Sequence, residues 1–88
     1  MDFGSAISAI RAGNRLARSG WNGKSMFVFL VPGSTFTVNR EPLASILGVG
    51  TQVQYRGHID LKAADGSIAV WNPSQVDMLA DDWWIVKD

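Results

Sequence analysis

A chain of 88 residues with 47% hydrophobic residues is expected to fold as one domain, 1–88, with a modest core. Eight basic residues balance eight acidic ones, which argues against a binder of long nucleic acid, and the lack of cysteine excludes disulfides, thiolate chemistry and Cys-based zinc sites. Met1-Asp2-Phe3 lacks the basic-then-apolar start of a signal peptide and no apolar run is long enough to span a bilayer, so the cytoplasm is the expected compartment and no membrane partner is expected.

Phe3, Ala6, Ile7 and Ile10 recur at helical spacing and predict a helix over 3–12, capped by Asp2 and stopped at Gly13. Asn14 to Arg18 reads as a short strand carrying Arg15 and Arg18. Trp21-Asn22-Gly23-Lys24 follows, a turn because Asn and Gly both tolerate positive φ. Its tryptophan either packs on the core or offers a stacking face beside a cation. Met26 to Val31 is the clearest strand, and both its faces are apolar: Met26, Val28, Leu30 and Phe27, Phe29, Val31. Such a strand must be covered on both sides. One or two short helices can barely do this, which implies a second subunit.

Pro32-Gly33-Ser34 predicts a turn, Thr35 to Val38 a brief β segment, and Glu41 to Gly48 a short helix with Pro42 at its start. Gln52 to Ala63 is expected to resume β structure around Gly57, with Ile59 and Leu61 alternating with His58, Asp60 and Lys62. Asp65-Gly66 is a hairpin turn with Ser67 to Trp71 as its return strand.

The stretch Trp71 to Trp84 organises the rest. Asn72 is read as an N-cap, Pro73 as the first helical residue and Gln75 as the return arm of a capping box. Val76, Leu79 and Ala80 would then face inward, and a final strand, Trp83 to Val86, would follow with both faces apolar. The fold class is α+β: a small antiparallel sheet with an N-terminal helix and short helices on one side, assembled as a homo-oligomer.

No phosphate-loop, dinucleotide, zinc or nucleophile-elbow pattern occurs, and His58 is the only histidine. Asp77 and Asp81, four apart, share a helix face under this reading, as an acid–base or metal pair or as a solvated surface. Asp81 and Asp82 at a helix C-terminus are unfavourable there, so an arginine neutralises them or they accept from ligand hydroxyls. Trp21 and Trp71 offer faces for base stacking. Arg15, Arg18, Lys24 and Arg56 suit phosphates, and Asn22, Ser74 and Gln75 suit ring edges or hydroxyls.

Taken together, Phe3-Gly4 with Ala6-Ile7, Ala17 to Lys24, Met26-Phe27 with Val31 to Ser34, and Trp71 with Ser74 to Trp83 resemble the phage anti-Thoeris proteins of the second type. The Trp-Asn-Gly-Lys string at 21–24 and the Ser-Gln-x-Asp-Met-Leu-Ala-x-Asp-Trp string at 74–83 carry the likeness; 39–55 is the least diagnostic part. The resemblance implies a sponge, not an enzyme, with no cofactor. Such proteins bind intact a cyclic ADP-ribose isomer (glycocyclic ADP-ribose) made by TIR-domain immune proteins. Some also sequester cyclic oligonucleotides of the antiphage system CBASS. It further implies a homotetramer, a dimer of dimers, with pockets between subunits, at work in the cytoplasm of the infected host. On that basis Trp21 with Phe27 or Trp71 sandwiches adenine, and Asn22, Gly23 and Lys24 contact ligand through turn amides and charge. Ser74 and Gln75 bind phosphate or ribose oxygens, Asp77 or Asp81 accepts ribose hydroxyls, and Arg56 is a further phosphate contact. A nanomolar dissociation constant, roughly −12 kcal/mol, is the expected scale. The rival readings are an enzyme that degrades the signal through Asp77, Asp81 or His58, and a structural module with no nucleotide pocket.

Overall fold

A computed structural model describes residues 1–22 and 25–87. The first helix, α1 (Phe3–Arg11), starts at Asp2, whose Oδ1 accepts from the Ser5 amide at 2.8 Å. It ends where Gly13 turns to φ +96°. Ala6 and Ile10 form its buried stripe. Strands β1 (Leu16–Arg18) and β2 (Phe27–Val31) come next, joined in part by a 3₁₀ turn at Ser19–Trp21. They are followed by β3 (Ser34–Thr37), α2 (Leu43–Leu47), β4 (Gln52–Tyr55), β5 (His58–Lys62), β6 (Ile68–Val70), α3 (Gln75–Leu79) and β7 (Trp83–Ile85).

The main sheet has five strands in the order β6-β5-β2-β1-β7. Its ladders are antiparallel, with Leu16 opposite both Val28 and Ile85, and Phe27 opposite Lys62. α1 covers one face, where Ala6, Ile10, Leu16, Val28 and Trp83 make the core. Trp83 is 2% exposed and sits at the centre of an aromatic cluster, 5.7 Å from Phe3, 5.3 Å from Trp21 and 5.8 Å from Trp71 between ring centroids. Both tryptophan contacts are edge-on, the geometry that ring quadrupoles favour. Its indole N–H donates to the Asp77 carbonyl at 3.0 Å, so the buried polar atom is satisfied. The register sets Phe27, Phe29, Val31, Val70 and Trp84 on the other face. There Trp84 is 45%, Ile68 58% and Val70 63% exposed.

The α+β class and the antiparallel pairing agree with the sequence reading, but the single sheet does not. β3 and β4 form a separate two-stranded sheet that carries α2, so this helix does not lie on the main sheet. Phe36 stacks on Tyr55 there at 5.0 Å, and Val38 is buried. This unit projects as an arm: the radius of gyration is 15.9 Å, against about 12 Å for a compact chain of this length. The β run expected over 52–63 is in fact two strands in two sheets, parted at Arg56-Gly57.

At the neck of the arm the two crossing strands nearly touch. A Cβ on Gly33 would lie 2.9 Å from the Tyr55 carbonyl oxygen and 3.1 Å from the Gly57 nitrogen, both backbone atoms. Gly33→Ala should therefore cost about 1–3 kcal/mol, read as a lower thermal midpoint, because neither neighbour can step aside as a side chain would.

The anchor segment also differs from expectation. Ser74, not Asn72, is the N-cap: its hydroxyl accepts from the Asp77 amide at 3.1 Å, and Asp77 Oδ2 accepts from the Ser74 amide at 3.2 Å. With Ser74 as the cap, Asp77 rather than Gln75 is the third helical residue and closes the box, and Arg18, distant in sequence, also donates to that carboxylate. The helix thus begins two residues later than predicted, and its inward side changes. Val76 is 69% and Leu79 83% exposed, while the Asp77 side chain is 14% exposed. α3 ends at Leu79, so Asp81 lies beyond it and shares no helix face with Asp77.

Candidate ligand site

A concavity of about 530 Å³ lies where β1, the 3₁₀ turn, the start of β2, the end of β5 and β7 meet. Ala17, Arg18, Ser19, Trp21, Ser25, Met26, Phe27, Lys62, Trp84 and Val86 line it. Its volume falls within the range of small-molecule sites, about 300–1,000 Å³, and aromatic walls beside a few polar groups are typical of them.

Arg18 is the hub of its wall. Nε donates to Asp82 Oδ1 at 2.8 Å, Nη2 to Asp82 Oδ2 at 3.3 Å, and Nη1 to Asp77 Oδ1 at 2.8 Å. The guanidinium therefore ties β1 to the start of α3 and to β7. Asp82 Oδ2 also accepts from the Gly20 amide at 2.8 Å. A Cβ at Gly20 would lie 2.9 Å from Arg18 Nη2 and 3.1 Å from Asp82 Oδ2, so a larger residue there would push against the ends of the two side chains that make this knot. The knot fixes the 3₁₀ turn and with it Trp21, whose ring is half-buried against the edge of Trp83 and also lines the concavity.

The charges in the knot shift together. The hydrogen bonds that Arg18 donates to Asp82 and Asp77 raise its pKa. The Arg18 bond holds the Asp82 carboxyl below its ordinary range, with help from the Gly20 amide. Burial pushes Asp77 up, but hydrogen bonds from Arg18, Ser74 and Trp21 outweigh it and leave its pKa lowered. Carboxyls depressed in the folded state add stability that is present above their unfolded pKa, near 4, and lost as pH falls through the folded values. An acid titration by circular dichroism should show stability level near neutrality and falling below about pH 4. Asp82→Asn should be less stable at pH 7 and show a shallower acid loss.

Trp21 and Phe27, the first of the two sandwich pairs raised by the sequence, line this one concavity. Trp71 lines a different groove, about 500 Å³, with Phe3, Ile7, Leu30, Ile59 and Pro73. Asn22 adopts φ 57°, ψ 37°, the left-handed conformation expected of the turn, and is exposed. Gly23 and Lys24 lie outside the described residues. Ser74 and Gln75 are exposed at the start of α3, and the Ser74 amide and hydroxyl are engaged by Asp77. Asp77 is not itself a lining residue and stands behind the wall, where Arg18 donates to it. Asp81 is exposed, and its backbone carbonyl accepts from the terminal ammonium at 3.2 Å. Arg56 is exposed between β4 and β5, six residues before Lys62 and so roughly 20 Å away along the strand. His58 Nε2 lies 3.2 Å from Asp60 Oδ1 on β5. Among the described residues, no three His, Asp or Glu side chains gather as a metal site, and no helix is long and apolar enough to cross a membrane.

Sequence reading missed Lys62, Trp84 and Val86 as lining residues. Lys62 reaches the site only through its pairing with Phe27, a register that no local pattern reveals. Trp84 was legible in part: alternation sends it to the face opposite Trp83.

Residues 1–86 match the family model described as the Thoeris anti-defense 2-like domain (Tad2-like). The chain is 41% identical over 92 aligned positions to Thoeris anti-defense 2 of Bacillus phage SP01, covering 99% of this chain and 96% of the relative. The Trp21 turn, the Arg18 knot and the Ser74 helix start all fall inside the matched span, and the chain belongs to the Thoeris anti-defense 2-like family.

Proposed function

We propose that this chain is a phage anti-defence protein that binds the cyclic ADP-ribose isomer produced by TIR-domain proteins of Thoeris and holds it intact, so that the effector is not activated. The full-length family match to a phage anti-Thoeris protein carries this reading. The concavity supports it, because Trp21 and Phe27 present aromatic surface beside cationic groups. In this account the adenine packs between Trp21 and Phe27, and Asn22, Gly23 and Lys24 contact the ligand. Asp77 backs the wall of the concavity through Arg18, whereas Ser74, Gln75, Asp81, Trp71 and Arg56 do not line it. Those that touch ligand do so from a neighbouring copy, in a homotetramer whose interface uses the open face of Phe29, Val31, Val70 and Trp84. Cyclic oligonucleotides are the second class of cargo. The protein acts in the cytoplasm of the infected host.

Ligand recovery after denaturation tests the sequestering role. The proposal expects stoichiometric release of unchanged signal at every time point. A product that accumulates with time would instead assign an enzyme.

A further inference from the structure

Lys62 closes β5 directly opposite Phe27. Its ammonium is held rather than free in solvent: it donates to the Ser25 carbonyl at 3.1 Å and lies 5.8 Å from the centre of the Phe27 ring. Arg15, just before β1, approaches the same ring, its guanidinium carbon 5.3 Å from the centroid. Among the described residues, the other cation lining the concavity is Arg18, which is already paired with Asp77 and Asp82. Lys62 differs. Among the described residues no carboxylate lies within ion-pair distance of its ammonium. Asp65, across the β5–β6 turn, feels its charge but spends its hydrogen bonds on Ser67. An ammonium has three donors, and the Ser25 carbonyl takes one.

We infer that Lys62 binds a phosphate of the nucleotide held in this concavity, an assignment that rests on the nucleotide reading above. Stacking on Phe27 brings the base to the ring beside which the ammonium sits, and an anionic oxygen there gains a charge-assisted hydrogen bond. Arg18 then acts as a positioning residue for Trp21, and Lys62 supplies the positive charge that Arg18 cannot.

The test is isothermal titration of wild type, Lys62→Gln and Lys62→Arg with the cyclic ADP-ribose isomer at two salt concentrations. Thermal midpoint and assembly state are measured alongside. Lys62→Gln should bind about tenfold or more weakly, with an unchanged midpoint and a flatter salt dependence, and Lys62→Arg should recover most of the affinity. Equal affinity and equal salt dependence in wild type and Lys62→Gln would overturn the Lys62 assignment and leave the nucleotide reading standing. Wild type that binds no cyclic ADP-ribose isomer would overturn both. Should Lys62→Gln fail to fold, Lys62→Arg and the wild-type salt dependence still decide: binding insensitive to salt overturns the assignment.

Discussion

Arg18→Ala is expected to be the most damaging single change in this chain. Three hydrogen bonds to two carboxylates vanish, and Asp77 and Asp82 are left facing each other with no counter-charge. The knot is only partly buried, so the loss falls below that of a fully buried ion pair, but it leaves two carboxylates, 14% and 29% exposed, without the guanidinium that holds them. In a domain of this size each kcal/mol lost lowers the thermal midpoint by roughly 4–8 °C. The damage should also spread to function. The 3₁₀ turn loses the Asp82 anchor at Gly20, the α3 box loses the group that holds Asp77, and Trp21 sits between them. Arg18→Lys should not rescue, because an ammonium cannot reproduce a bidentate grip on Asp82 while reaching Asp77. Thermal melts of the two variants check this directly. Midpoints within a few degrees of wild type would show that the knot is dispensable.

Trp21→Ala is the change expected to affect ligand binding most. Base stacking on an aromatic ring is worth about 1–3 kcal/mol, so affinity for the cyclic signal should fall roughly tenfold to a hundredfold. The ring also packs edge-on against Trp83, so some loss of stability is expected too. Trp21→Phe separates the two effects: it keeps a ring on Trp83 while shrinking the stacking surface, and should bind at an intermediate level. Trp71→Ala is the natural comparison, since Trp71 shares the Trp83 cluster but lines the other groove. It should lower stability with a smaller effect on affinity. The reverse order would move the binding site to the Trp71 groove.

Most of the local elements were legible because their signals are local. Asp2 caps α1, Gly13 ends it, Asp65-Gly66 turns the β5–β6 hairpin, and Asn22 takes positive φ. Trp83 and Trp84 divided between core and surface as alternation requires. What was not legible depends on distant pairings. Nothing in 34–55 distinguishes an arm from a continuation of the main sheet until β3 is seen to pair with β4 and not with β2. Asn72-Pro73 carries good capping chemistry, yet Ser74 is the cap, with Asp77 at the third helical position also bound by Arg18 across the fold. The same holds for the site. Trp21 and Phe27 were marked by residue type, whereas Lys62 enters through strand register alone.

The two apolar faces of β2 bear on assembly. One is buried under α1, and the other ends in the exposed Trp84, Ile68 and Val70. An open face of this kind, continuous through Phe27 and Trp84 with the concavity, fits the proposal that copies meet beside the ligand.

Equilibrium titration of the purified, assembled protein with the cyclic ADP-ribose isomer, followed by denaturation and analysis of what is released, tests the central claim most directly. The account predicts nanomolar binding and full recovery of the unaltered compound. A protein that ignores this compound at micromolar concentration, or returns it cleaved, would contradict it.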